Sequence, residues 1–253
     1  MRGWMALFCA VLVTLALAAG TRADSLRIAT EGAYPPFNFL NDQGELEGFD
    51  VDIAAALCQA MGRECELVAV QWEGIINGLV QGSYDMIVAS MARTPERNRL
   101  VDFTNHYYRS RSAFVAMAGA QFDISPEGLQ GKVLCAPTKT VQADYLQSTY
   151  GDLATVKLSS DTVEAFDLLV AGDVHVVLSD SLNCLEFLTS EKGLGFDFIG
   201  EALPAKDHSS SAHIAVREGD DVLRTAINEA LQTIRLDGTY DRINRRYFPF
   251  SIY

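Results

Sequence analysis

An α/β fold of two lobes, each a mostly parallel sheet flanked by helices, is what this sequence predicts, and three observations lead there. Strand and helix patterns alternate as βαβαβ over residues 26–89 and again over 132–178, which calls for parallel sheets rather than hairpins. The stretch LVQGSYDMIVAS (79–90) has an echo in LVAGDVHVVLSD (169–180), with helix end, glycine turn, buried strand and polar last residue in register. The identities are few and helix-Gly-strand patterns are common, so coincidence stands beside repetition here. Two extended segments, 110–117 and 211–216, lie outside both units and read as paired crossovers that would form a hinge.

The first 23 residues read as a secretory leader. Arg2 precedes an apolar run over 4–19, and Thr21-Arg22-Ala23 offers the small residues a signal peptidase reads, placing cleavage before Asp24. The run is short of the roughly 20 residues a membrane span needs. The chain from Asp24 onward is expected to be exported to the periplasm without inserting in a membrane. Within the first unit, strands are expected at 26–29, 66–70 and 86–89, with helices at 50–61 and 72–80. The intervening Glu31-Gly-Ala-Tyr-Pro-Pro-Phe-Asn-Phe is a Gly/Pro loop too aromatic for a plain solvent turn. In the second unit, strands at 132–136, 154–158 and 174–178 alternate with helices at 140–150 and 162–170, the latter capped by Asp161 with Glu164 at its third position. A helix at 182–189, a strand at 196–199, an amphipathic helix spanning Val222 to Ile234 with three- and four-residue apolar spacing, and a last helix at 240–247 complete the chain.

Residues 84–97, YDMIVASMARTPER, carry the strongest local signal. A buried strand delivers Ser90 to Ala92 toward Thr94-Pro95-Glu96, which reads as a helix cap, a proline at the first helical position and an early acid. Ligands of open α/β sheets settle at strand carboxyl ends beside helix N-termini, and Arg97 adds a planar two-pronged donor suited to a carboxylate. By residue type alone, Arg97 reads equally well as one of the surface charges Arg93, Arg97 and Arg99.

The chain carries a formal net charge of −13, which becomes −15 once Arg2 and Arg22 leave with an acid-free leader. Such a surface repels phosphate backbones and anionic lipid, which argues against nucleic-acid partners. Of five cysteines, Cys9 falls in the leader. Cys58 and Cys65 stand at a helix end and a strand start in an oxidising compartment, and a disulfide there is worth about 2.5 kcal/mol by loop entropy. Cys135 and Cys184 form either a second bridge or two buried thiols. No cofactor or metal is implied: neither Cys58 nor Cys65 has a histidine near it in sequence, and His106, His175, His208 and His213 are scattered with no nucleophile-base spacing.

The blocks IATEGAYPPFNF (28–39), GFDVDIAAALC (48–58), the pair Cys58/Cys65, QWEGIINGLVQGSYDMIVASMARTPER (71–97), VDFT (101–104) and LDGTYDRINRRYF (236–248) resemble the amino-acid-binding periplasmic proteins of ABC importers. The likeness is to the bacterial extracellular solute-binding family 3, in its branch for lysine, arginine, ornithine, histidine and opines. It covers nearly all of the chain after the leader. It implies a type II Venus-flytrap fold, with lobe one at 24–112 and 209–253, lobe two at 113–208, and two crossover strands. It further implies a monomeric carrier that captures a polar, cationic amino acid or derivative, delivers it to a membrane permease and has no chemistry of its own. Carried over by residue, the resemblance makes Arg97 the binder of the ligand α-carboxylate, helped by the Thr140 region with Gln142 nearby. Asp180 and the Ser90 carbonyl would take the α-ammonium, Tyr34 and Trp72 would sandwich the side chain, and Glu31 would meet its far end. By residue type, Trp72 is more often core than cleft.

The chain departs from that branch at two positions. Ala92 replaces a Ser or Thr beside the ligand's α-substituents, leaving room for an N-substituted ligand, and Lys139 replaces a Gly, where it either binds an extra carboxylate or points to solvent. The competing reading is an enzyme resembling cyclohexadienyl dehydratase on the same fold. A receptor sensor domain would need a following membrane span, which this sequence does not carry.

Overall fold

The computed structural model describes residues 25–204 and 210–253. The leader expected at 1–23, its cleavage point and His208 lie outside the described residues. The chain opens with β1 (Leu26–Thr30), three short strands β2 (Ala33–Tyr34), β3 (Asn38–Leu40) and β4 (Leu46–Glu47), and α1 (Phe49–Met61). It continues through β5 (Cys65–Ala69), α2 (Ile75–Val80), β6 (Met86–Ala92) and β7 (Val101–Arg109). The second group holds β8 (Ser112–Met117), β9 (Val133–Pro137), α3 (Val141–Tyr150), β10 (Thr155–Ser159), α4 (Thr162–Ala171), β11 (Val176–Asp180), α5 (Ser181–Thr189) and β12 (Phe196–Ile199). β13 (Ser211–Arg217), α6 (Asp221–Leu236) and α7 (Thr239–Tyr247) close the chain.

Two five-stranded sheets result, ordered β5-β1-β6-β13-β7 and β10-β9-β11-β8-β12. The first three strands of each pair in parallel, as their βαβ connections require. β13 and β8, fourth in each order, run antiparallel to both neighbours, and each has just arrived from the other sheet. The echo of 79–90 in 169–180 is therefore structural: β6 and β11 hold the same place, each behind a helix and a left-handed glycine, Gly82 (φ 77°) and Gly172 (φ 77°).

Both faces of each sheet are covered, which is why the strands read as nearly continuous apolar runs. In β6, Met86 and Val88 pack with Phe49, Ile53, Leu57 and Ile227 from α1 and α6, while Ile87, Ala89 and Met91 pack with Ile75 and Leu79 from α2. In the second sheet, Leu134, Val176 and Leu178 face Leu146 of α3, whereas Val115 and Val177 face Phe166 of α4 and Phe187 of α5. The end of the chain returns to the first sheet: Phe248 and Ile252 join its core, and Ile252 O accepts from Arg109 N at 2.7 Å.

Several expectations shift. Residues 110–117 and 211–216 are not free crossovers, because β8 is laddered into the second sheet and β13 into the first. The first crossing shortens to Ser110 and Arg111, and Ser110 N donates to Ser210 O at 3.1 Å, which ties the two crossings together. No α-helix follows Pro95. Thr94 Oγ1 does accept from Arg97 N (3.2 Å), but only a 3₁₀ turn, Arg97–Arg99, forms before the buried Val101 draws the chain into β7. The helix dipole invoked at Arg97 is thus absent, and the positive charge at that strand end is the Arg97 guanidinium itself. β7 itself, nine residues long, is not among the strands expected from the sequence. Cys58 and Cys65 form a disulfide, and Cys135 and Cys184 are free buried thiols packed in one apolar cluster.

Candidate ligand-binding cleft

One cleft between the sheets brings together all nine residues singled out from the sequence: Glu31, Tyr34, Trp72, Ser90, Ala92, Arg97, Thr140, Gln142 and Asp180. The first six come from the loops and strand ends of the first sheet and the last three from the second.

Arg97 sits against the floor. Its Nη1 donates to Ala92 O and its Nη2 to Lys139 O across the cleft, each at 2.8 Å, and its guanidinium carbon lies 5.1 Å from the centre of the Trp72 ring. Burial of the charge draws its pKa down to about 10, with Asp144 and Glu96 opposing, so it stays a cation at neutral pH. Trp72 Nε1 also donates to Lys139 O (3.3 Å), so one carbonyl is clasped by two side chains from the opposite lobe. Lys139 carries φ 58°, a left-handed conformation in which glycine is the unstrained residue. That accounts physically for the family's glycine, and the exposed Lys139 side chain lies outside the cleft lining.

At the second sheet, Asp180 ends β11 and caps α5: its Oδ1 accepts from Leu182 N (2.8 Å) and from Ser110 Oγ (2.7 Å). Burial pushes its pKa up to about 6 against those hydrogen bonds. Thr140 caps α3, its Oγ1 accepting from Ala143 N (3.1 Å) and donating to Pro137 O (2.6 Å). That hydroxyl is committed to the helix, and what α3 offers the cleft is its first turn at Val141 and Gln142. Gln142 Nε2 donates to Ser112 Oγ (3.0 Å).

Glu31 has the most perturbed carboxyl in the cleft. Desolvation first, then the carboxylates of Asp161 and Asp50, raise its pKa to about 8. Tyr34 stacks on Phe37 at 5.5 Å, and burial raises its hydroxyl well above the usual range. Ser90 takes φ 52° inside β6, with Oγ turned to Asp50 Oδ2 (2.9 Å) and N–H to Tyr107 Oη (2.8 Å), which leaves its carbonyl for the cleft.

Sequence reasoning missed Tyr108, Ser110 and Arg111, which also line the cleft, and Asp50, Tyr107 and Asn183 behind or across it. Asn183 Nδ2 donates to Pro35 O from the other lobe. Asp50 carried a usable signal, an acid beginning the otherwise apolar face of GFDVDIAAALC, whereas the tyrosines lie in β7, a strand not expected from the sequence.

The model of bacterial extracellular solute-binding proteins, family 3, matches residues 26–250. The chain belongs to this family. An L-arginine-binding protein of Pseudomonas aeruginosa is 38% identical over 233 residues, covering 90% of this chain and 89% of that relative. The lysine/arginine/ornithine-binding periplasmic protein of Escherichia coli (strain K12) is 30% identical, with 96% of each chain covered. Among solved structures, an ancestral arginine-binding protein bound to arginine matches with a TM-score of 0.84 at 32% identity, covering 90% of this chain and 99% of that one. An ancestral amino-acid-binding protein that is a precursor of cyclohexadienyl dehydratase matches with a TM-score of 0.80 at 27% identity, covering 88% and 95%. This family 3 chain therefore has the two-lobed solute-binding fold with its cleft between the lobes, and among its described residues no helix is long and apolar enough to cross a membrane.

Proposed function

We propose that this solute-binding protein captures a cationic amino acid, arginine foremost, in the periplasm and hands it as a monomer to the membrane permease of an ABC importer. The observation that carries the reading is the charge of the cleft: two desolvated acids, Glu31 and Asp180, against one desolvated cation, Arg97, since Arg111, which also lines the cleft, is exposed. A zwitterionic backbone uses Arg97 and Asp180 and leaves Glu31, whose raised pKa means that its carboxylate lacks a counter-charge until a ligand brings one. The names of its relatives point the same way.

In this reading Arg97 grips the α-carboxylate with the first turn of α3, and Asp180 and the Ser90 carbonyl hold the ammonium. Tyr34 and the face of Trp72 away from Arg97 enclose the side chain, whose guanidinium or ammonium meets Glu31. Lobe one comprises 24–112 and 209–253 and lobe two 113–208, closing about the crossings at Ser110 and Ser210. Ala92 leaves space beside the ammonium, so an arginine-derived opine belongs to the candidate ligands.

One observation favours the enzyme reading. A carboxyl with a pKa near 8 is protonated at neutral pH and would serve as a general acid, and one structural relative is a dehydratase precursor. A thermal-shift screen tests the first reading: arginine, ornithine, lysine, histidine or an opine should raise the melting temperature, with glutamate and aspartate inert. Stabilisation by glutamate without any by the basic ligands would overturn it. Turnover of prephenate or arogenate would overturn the claim of binding alone.

A further inference from the structure

Asp50 lies in the first turn of α1, fully buried and outside the cleft lining. Its side chain does not cap the helix, whose start instead uses the backbone, Asp50 N donating to Phe37 O at 2.7 Å. Three donors converge on it: Tyr107 Oη on Oδ1 at 2.7 Å, and Asn38 Nδ2 (2.7 Å) and Ser90 Oγ (2.9 Å) on Oδ2. An acceptor with three donors and no basic partner among them suits a carboxylate, and so costly a buried group suggests a task beyond packing.

Each donor leads to the cleft. Tyr107 Oη, while donating to Asp50, accepts from Ser90 N (2.8 Å), so both the N–H and the hydroxyl of Ser90 are tied to this one acid. Those ties hold a non-glycine residue at φ 52° in mid-strand, a conformation it would otherwise avoid, and leave its carbonyl for the cleft. Along the other branch, Asn38 Oδ1 accepts from Gly32 N (2.8 Å), fixing the peptide after Glu31.

We infer that Asp50 is a positioning residue for ligand recognition, holding the Ser90 peptide and the Glu31–Gly32 turn in one fixed relation from behind the cleft. The inference rests on the proposed assignment of Ser90 and Glu31 to the two ends of the ligand. Asp50 thereby sets the distance between ammonium site and side-chain site without touching the ligand.

The test begins with a measurement that needs no ligand. Amide hydrogen exchange by NMR on the unliganded protein should find Ser90 and Gly32 protected, and Asp50→Asn should speed both at least tenfold while the β9 and β11 amides keep their rates. Protection retained at either Ser90 or Gly32 in that variant would overturn the shared hub. Should Asp50→Asn fail to fold, Tyr107→Phe removes only one branch. It should speed Ser90 and leave Gly32 unchanged, and equal effects on both, or none at Ser90, would count against the inference. Calorimetry with L-arginine adds a readout that a merely structural role would not move. Asp50→Asn should weaken binding 10- to 100-fold, and by a factor at least three times smaller in a Ser90→Gly background, because glycine takes the left-handed conformation unaided. Equal losses in both backgrounds would mean that Asp50 does not act through Ser90. If the unmutated protein gives no heat with L-arginine, the proposed function fails, and the exchange measurement still decides the role of Asp50.

Discussion

Ser90 in β6 and Asp180 in β11 stand at equivalent places in the two sheets, yet they meet the cleft in opposite ways. β11 stops at Asp180, which caps α5 and keeps its carboxylate at the cleft. β6 runs on to Ala92, and Ser90 turns its side chain to Asp50 and its N–H to Tyr107, leaving only its carbonyl for the cleft. Duplicated strand ends thus present different groups to the cleft: a side-chain carboxyl at Asp180 and a backbone carbonyl at Ser90. The sheets match again in strain, since Ser90 and Lys139 are non-glycine residues with left-handed φ at the cleft, the first tied down by its side chain and the second by grips on its carbonyl.

The largest test of that contrast is Asp180→Asn. Asparagine still caps a helix, so folding should survive, while arginine binding should lose about 3 kcal/mol, roughly 100-fold, as a desolvated charge pair loses one partner. Calorimetry finding under a fivefold loss would remove Asp180 from the ammonium site. Next is Arg97→Lys, which keeps the charge and loses the fork. Because Ala92 O and Lys139 O already take two of its donors, a lysine with three donors cannot keep both carbonyl bonds and a two-pronged grip on a carboxylate, and the loss should be about 1.5–3 kcal/mol. A loss under threefold would make Arg97 structural.

Glu31 gives a pH signature. A cationic ligand needs Glu31 and Asp180 ionised, and their carboxyls sit near 8 and 6, so affinity for arginine should rise with pH from 6 to 8 and level off above. Glu31→Gln should weaken arginine by about 1–2 kcal/mol, spare neutral amino acids and remove the upper part of that rise. An unchanged profile in the variant would place Glu31 outside the side-chain site. For folding the sign is reversed. Both acids hold their protons more tightly in the native state, so the unliganded protein should be most favoured by them below the ordinary carboxyl range near 4, and lose that stability as pH climbs through 6 and 8.

Ser90→Ala keeps the backbone and drops one tie to Asp50, so arginine affinity should fall by about 1 kcal/mol, well short of its counterpart in β11. A loss as large as that of Asp180→Asn would erase the distinction between charge and dipole. Smallest of all, Lys139→Gly should relieve strain and raise unfolding stability by a few tenths to about 1 kcal/mol in a denaturant titration. Destabilisation there would mean that the lysine stem, not the backbone, matters.

Much of this was legible because parallel strands buried on both faces have an unmistakable apolar run, and because glycine turns such as Gly82 and Gly172 punctuate them. Arg97, Asp180 and Glu31 came from a family likeness laid on that frame, and the cleft gathers them. What escaped was non-local. Nothing in NHYYR announces that Tyr107 reaches Asp50, fifty-seven residues away, and the cap signal at Thr94-Pro95 was genuine although tertiary pairing of β7 cut the helix to one turn. Propensity yields there to burial of Val101 in the sheet.

Among the described residues, the hydrogen bonds that span the lobes without needing a ligand include those of Arg97 and Trp72 to Lys139 O and of Asn183 to Pro35 O. Opening breaks all of them, but Arg97 and Trp72 also line the cleft, so only the Asn183 contact bears on residence time alone. Asn183 lies outside the cleft lining, and altering it would shift how long the carrier stays loaded while leaving unchanged which amino acid it prefers. Retention at Asn183 is in this way separate from recognition in the cleft, so a change there would tune the dwell time of the loaded carrier without redesigning the chemistry of recognition.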